Sequence, residues 1–370
     1  MGHLTTRDAY RNLGERINWF TQGAPASETL YKILQVLYSE KEAKWVALLP
    51  VRPFTIKKAA KIWGTSEYKA EKLLDHLCGK ALLVDSWDKG VRKFVMPPPM
   101  AGFIEFALMR TRGDIDQKYL SELYYQYMNV EEDFIKDLFY ATETKLGRVF
   151  VQEPVLTNDK MNHILDYERA THIVEEAEYI GLGLCYCRHK MSHAGHPCEI
   201  NAPWDVCLTF DNVARSLAQH GDYCRLISRE EALDALERSY ASNLVQIGEN
   251  VREHPAFICN CCGCCCEALL AIKRFAIART IHSNFIARAG NDCRWPPPII
   301  FLILPGTSAL AAESAQRHVR YWLYPWRKEK TEGSGPWWIR IFVWAAAYAP
   351  GTAASRPFTW SAGRSRSSHR

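Results

Sequence analysis

Between Cys259 and Cys266 the chain reads CNCCGCCC, six cysteines in eight residues. Neither packing nor disulfide pairing calls for so dense a run, whereas soft thiolates in that number suit a metal. Four more, Cys185, Cys187, Cys198 and Cys207, lie upstream, so ten of the 13 cysteines fall in two blocks. The candidate ligands are therefore these four together with Cys259, Cys261, Cys262, Cys264, Cys265 and Cys266. They offer more thiolates than one tetrahedral ion takes, which points to an iron–sulfur cluster or to zinc.

The setting expected for such thiols is reducing and cytoplasmic. MGHLTTRDAYRNLGERINWF lacks the apolar core of a secretory signal, and an odd total of 13 cysteines argues against a disulfide framework. No stretch reaches the roughly 18 apolar residues of a membrane span; the nearest, IIFLILPGTSALAA from Ile299, is short and broken by Pro305. A soluble chain without a membrane partner is expected.

Charge is unevenly spread. From Ala289 to Arg370 there are eleven Arg or Lys against four Asp or Glu, a surplus of +7 in a chain whose net charge is +5, so residues 1–288 sit near −2. The same stretch holds seven of the 12 tryptophans and eight of the 18 prolines, without helical or alternating periodicity. Residues 289–370 are expected to be an atypical tail, disordered or read out of frame, with no stable fold of their own.

Upstream, Ser27 caps an expected helix that carries Leu30, Ile33, Leu34 and Leu37 on one face. From Phe54, Thr55 opens a short helix with Ala59, Ala60 and Ile62. Gly64 then turns the chain, and Ser66 opens a second helix with Ala70, Leu73, Leu74 and Leu77. LLVDSWDKGVRKFVM reads as a hairpin turning at Asp88-Lys89-Gly90. That order spells a winged helix over residues 1–96. Its second helix offers Lys69, Lys72 and His76 but also Glu67, Glu71 and Asp75, a near-neutral face that gives DNA binding weak support, while Lys89, Arg92 and Lys93 keep it open.

MPPPMAGFIEFALMR begins a helical linker region, 97–180, expected to dock rather than to swing freely. Tyr124, Tyr125, Tyr127, Phe134, Leu138 and Phe139 are its apolar positions. It ends in an expected amphipathic helix, Tyr167–Ile180, with Ala170, Ile173, Val174 and Ala177 on one side. The cysteine-rich region, 181–288, follows. In its first block a Cys-x-Cys pair such as Cys185 and Cys187 is expected to serve one metal only where the backbone turns. Arg188, His189, His193 and His196 add cationic or hydrogen-bonding groups, the histidines being read as ordinary loop residues. Ser228 and Glu231 form a capping box. In the second block Gly263 is expected to supply backbone freedom, and the last cysteines to sit at a helix start, where the dipole favours thiolate.

CYCRHKMSHAGHPCEINAPWDVCLTF at 185–210, ISREEALDALERS at 227–239, FICNCCGCCCEALLAIKRF at 257–275 and PPPMAGFIEFALMR at 97–110 together resemble a family of bacterial and archaeal 4Fe-4S ferredoxin-type binding proteins. The resemblance spans most of residues 25–288. It implies an iron–sulfur protein for electron transfer or redox sensing, with a 4Fe-4S cluster on the cysteines named above. Members continue, after a segment like IHSNFIA at 281–287, into a ferredoxin module with repeated C-x2-C-x2-C-x3-C-P motifs. Here only Cys293 follows, so that module is missing or out of frame.

The expected fold is mostly α with small β, an α+β chain. The expected function is iron–sulfur binding for electron transfer with a redox partner protein. A redox- or metal-responsive regulator that binds DNA is the alternative, and structural zinc the alternative cofactor. No phosphate-cradling loop or nucleophile constellation appears, so no catalytic residue is assigned and an electron carrier is favoured over a stand-alone enzyme.

Overall fold

The computed structural model describes residues 2–140, 144–156, 164–275, 281–283, 286–287 and 301–302. Apart from Phe301 and Leu302, the expectation for residues 289–370 lies outside the described residues. The fold is α+β, and among the described residues no helix is long and apolar enough to cross a membrane.

Helices α1 (Gly2–Ile17), α2 (Glu28–Leu37) and α3 (Glu40–Val46) open the chain. Ser27 accepts the Leu30 N–H at 3.0 Å, which starts α2, and Leu30, Ile33, Leu34 and Leu37 are all buried, as their spacing requires. Ser39 and Glu42 form a reciprocal capping box on α3. The Glu42 carboxylate also accepts from His76 Nε2 at 2.6 Å and Lys80 Nζ at 2.7 Å, which ties α3 to the second helix that follows.

Next come β1 (Phe54–Thr55), α4 (Ile56–Trp63), α5 (Glu67–Gly79), β2 (Val84–Asp88) and β3 (Val91–Val95). Gly64 ends α4 at φ 62°, the left-handed conformation that glycine adopts without steric cost. The hairpin turns on Lys89 and Gly90, at φ 49° and 78°, a two-residue loop with both centres left-handed that matches strand twist. Strands pair antiparallel in the order β1-β3-β2.

An irregular segment, Pro99–Phe103, leads into α6 (Ile104–Phe106), and α7 (Gln117–Tyr125) and α8 (Asp133–Tyr140) follow. Met100, Phe103, Ile104 and Phe106 through Met109 are buried, so the proline-led segment docks as expected. The expected helix 167–180 is shorter. Here α9 covers Ala170–Glu176, Ala177 turns extended at ψ 137°, and Ile180 begins a strand. The apolar positions Ala170, Ile173, Val174 and Ala177 are nonetheless buried.

The cysteine-rich region is built on a sheet, which the sequence reading did not foresee. Strands β4 (Gly147–Val149), β5 (Ile180–Leu184), β6 (Asp205–Phe210), β7 (Arg225–Ile227), β8 (Val245–Glu249) and β9 (Phe257–Cys261) form one antiparallel sheet in the order β4-β8-β9-β6-β5-β7. Between them run α10 (Tyr186–His193), α11 (Asp211–Gly221) and α12 (Arg229–Ala241), and α13 (Glu267–Phe275) follows β9. A short pair, β10 (Ile286–Ala287) with β11 (Phe301–Leu302), completes the described strands. Leu208, Phe210 and Ile258 face a layer made by α9 and α12. Alternation therefore turns Cys207 and Cys259 to the opposite face. Gly181 in β5 allows a close approach: a Cβ there would stand 2.5 Å from Cys224 Sγ and 2.7 Å from Thr209 Oγ1.

Helix α11 joins the two halves. It packs on β5 and β6 and also against α5 and β2. Ser216 Oγ accepts the Asp85 N–H at 3.0 Å, His220 Nε2 lies 3.1 Å from Asp85 Oδ2, and Tyr223 donates to the Gly79 carbonyl at 3.3 Å. One hydrophobic core accordingly runs from Ala9 to Ala271.

The Glu42 linkage gives a testable pH dependence. Burial pushes its carboxyl up, but hydrogen bonds from Lys80, the Ser39 N–H and His76 outweigh this and hold it down to about 2, against an ordinary value of 4.5. A folded value below the unfolded one gives stabilisation that is complete above about 4.5 and is lost as pH falls through about 2. The parent protein should exceed Glu42→Gln in stability by roughly 2–3 kcal/mol at pH 7, and the gap should close toward pH 2 in denaturant titrations.

Candidate metal centre

Ten cysteines converge where β5 and β9 end and where β6, α10 and α13 begin, and they sort into two groups. The grouping does not follow the two sequence blocks. Cys198, from the loop after α10, joins Cys262, Cys264 and Cys265, while Cys185, Cys187 and Cys207 join Cys259, Cys261 and Cys266. All the described cysteines are free.

The first group is compact. The four ligand sulfurs of Cys198, Cys262, Cys264 and Cys265 lie within 4.8 Å of one another. Cys198 Sγ is 3.8 Å from Cys262 Sγ and 3.7 Å from Cys264 Sγ, and Cys264 and Cys265 are 3.8 Å apart. The turn that carries three of them is closed by the Cys262 carbonyl, which accepts the Cys266 N–H at 3.2 Å. Hydrogen bonds from Cys262 and from the Ala202 and Ile200 N–H groups hold the Cys198 thiol down to about 6. Gly263 has no left-handed φ, and a Cβ there would meet nothing within 4 Å, so the turn does not depend on glycine as the sequence suggested.

The second group is wider. The β6–β9 register pairs Leu208 with Ile258 and Thr209 with Phe257, and one further step sets Cys207 opposite Cys259. Cys259 and Cys261, two apart on β9, share a face with no turn of the backbone, contrary to the expectation for Cys-x-Cys pairs. Cys185 and Cys187 do sit at a turn, since Cys185 caps α10 after β5 and Cys187 lies in the first helical turn. The six thiols are hydrogen-bond neighbours in the order Cys185, Cys187, Cys266, Cys261, Cys259, Cys207. Cys266 precedes α13. Its thiol is pushed down by hydrogen bonds from Cys187 and Cys261 and then by the N–H groups of Leu269 and Ala268 at that helix start. Cys185, Cys207 and Cys259 are half-buried, whereas Cys187, Cys261 and Cys266 are buried.

Arg188 is fully buried between the groups, with its charge near Cys185, Cys262, Cys261 and Cys198. Nη1 donates to the Pro203 carbonyl at 3.0 Å and Nη2 to the Asn260 carbonyl at 2.8 Å, while the buried Nε has no hydrogen-bond partner among the described residues. A buried cation needs anionic company. No carboxylate supplies it among these contacts, so the partners are the sulfurs, which suits thiolates bound to metal.

Residues that the sequence reading passed over hold this arrangement. Lys190, wholly buried, pairs with Glu267 and donates to Asn129 Oδ1 at 2.6 Å, and Asn129 Nδ2 returns a bond to Glu267 at 2.8 Å. This ties α10 to α13 behind the thiols. Behind β9, Asn260 donates to the Val206 carbonyl at 2.7 Å and accepts from Gln246 at 2.9 Å, and Gln152 donates to Gln246 at 2.8 Å. Burial pushes the Glu105 carboxyl up to about 8, with the charge of Cys259 adding to the effect, although it accepts N–H groups from Gly102 and Ala101. Apart from Asn260, lodged inside the cysteine run, and Glu267, directly after it, none of these carries a sequence signal.

The histidines belong to neither cysteine group. His189 is buried on α10, with Nδ1 2.8 Å from the Leu108 carbonyl and Nε2 3.1 Å from His193, and His196 stacks on Tyr125. A further set, Cys78, Asp85 and His220, also has ligand spacing. There, however, Asp85 Oδ2 already accepts from Arg92 Nε at 2.8 Å, and that cation neutralises it. Comparisons with protein-family models, with curated proteins and with solved structures give no match.

Because Lys190 and Glu267 are both buried, removing one leaves the other uncompensated. Lys190→Met should destabilise the protein by about 3–5 kcal/mol, and adding Glu267→Leu should recover much of that loss in a double-mutant cycle read by chemical denaturation.

Proposed function

We propose that this chain is an iron–sulfur protein of electron transfer whose cluster is held by thiolates from the group Cys185, Cys187, Cys207, Cys259, Cys261 and Cys266. The observation that carries the reading is the number and placement of donors. Six neighbouring thiols exceed what a single tetrahedral ion takes, and their wider spacing suits a polynuclear centre. When bound, a cluster supplies a one-electron couple; a redox partner protein is the source or the recipient of the electron. Arg188 and the N-terminal ends of α10 and α13 offset thiolate charge. The Lys190–Glu267 pair and the Asn260 network fix the donors.

On this reading residues 54–95 are a winged helix used for docking within the protein. The DNA-binding alternative draws less support. Arg92, the wing cation, pairs with Asp75 at 2.7 Å and Asp85 at 2.8 Å, and Lys93 pairs with Asp88 at 2.5 Å. α5, the helix that would enter a groove, packs on α11. Phosphate contacts need cations that are free to displace counterions.

Protein purified without oxygen should be brown and carry iron with acid-labile sulfide. Cys259→Ser and Cys266→Ser should bleach the visible absorption, and Arg188→Met should lower the midpoint potential by removing a buried positive charge. A pale preparation free of iron overturns the proposal. In a gel-shift assay no salt-dependent DNA binding is expected; a steep loss of binding with salt would favour the regulator instead.

A further inference from the structure

We infer that Cys198, Cys262, Cys264 and Cys265 form a separate, mononuclear tetrahedral site for a soft divalent cation of the zinc class, distinct from the six-thiol group. The spacing of the sulfurs carries this. Metal–sulfur bonds of about 2.3 Å in a tetrahedron set neighbouring sulfurs about 3.8 Å apart. The measured separations are 3.7 and 3.8 Å, with every pair inside 4.8 Å. A cubane interposes four iron and four sulfide atoms between its ligand thiols and spreads them well beyond contact, so these four are too close to share one.

Local chemistry agrees. Cys262 and Cys265 have the two-residue spacing common in structural zinc sites, and the Cys262 carbonyl accepts the N–H of Cys266, which curls the turn around a single point. Cys198 arrives from a loop 64 residues away from Cys262 in sequence. Four thiolates fill the coordination shell and leave no open position, the arrangement of structural rather than catalytic zinc. The ion therefore acts as a staple: it pins the loop between α10 and β6 to the turn between β9 and α13.

The test is metal analysis of the full-length protein with sequence variants. The parent should hold one zinc per chain, and X-ray absorption at the zinc edge should report four sulfur neighbours at about 2.3 Å. Cys198→Ser/Cys264→Ser should lose the zinc while keeping iron and visible absorption. Cys259→Ser/Cys261→Ser should do the reverse. If the first variant fails to fold, the zinc-edge measurement on the parent decides alone. Absence of zinc, zinc with nitrogen or oxygen neighbours, or loss of iron and colour in Cys198→Ser/Cys264→Ser overturns the inference. A colourless protein with one tetrathiolate zinc leaves this site standing and removes the electron-transfer reading, whereas a brown protein without zinc does the opposite.

Discussion

Charge balance around crowded sulfur is the constraint on which this structure depends. Ten thiols meet inside the protein, several of them drawn toward thiolate by hydrogen bonds and helix ends, and among the described residues the side-chain cation set between both groups is Arg188. A guanidinium and two helix N-termini offset only part of that negative charge. On the proposed reading bound cations supply the remainder, which couples metal binding to the folding of this region. The buried Lys190–Glu267–Asn129 cluster fits this logic, since it closes its own charge internally and draws nothing from the sulfur centres.

The sheet turns this chemical demand into geometry. Antiparallel register sets Cys207 opposite Cys259, and strand alternation sets Cys261 beside Cys259, while the same strands turn Leu208 and Ile258 toward the α9–α12 layer. A single pair of strands thus carries a hydrophobic face and a sulfur face back to back. The two groups then separate according to backbone type. Strand ends and helix starts hold the six-thiol set, whereas a loop and a tight turn hold the four-thiol set.

Much of the N-terminal half is legible in the sequence because its signals are local. Ser27, Thr55 and Ser66 are caps one can read, Gly64 and Lys89-Gly90 are turns with a steric reason, and the spacing of Leu30, Ile33, Leu34 and Leu37 leaves one face to bury. All ten clustered cysteines are legible as donors too. Their grouping is not, because it is set by pairings between distant strands: Cys198 lies nearer to Cys207 in sequence but meets Cys262 and Cys264 in space. The six-stranded sheet escaped for a related reason. Its strands are three to six residues long and carry glycine or cysteine where apolar alternation would show, as in IGLGL and FICNC. The helix expected over 167–180 overran because the apolar period continues smoothly into residues that the sheet claims for β5.

Cys185, Cys207 and Cys259 are half-buried, whereas Cys187, Cys261 and Cys266 are buried. Small oxidants therefore reach three of the six sulfurs first. In air, damage should climb the sulfenic and sulfinic ladder from those three inward, so the depth of each sulfur orders its exposure to oxygen.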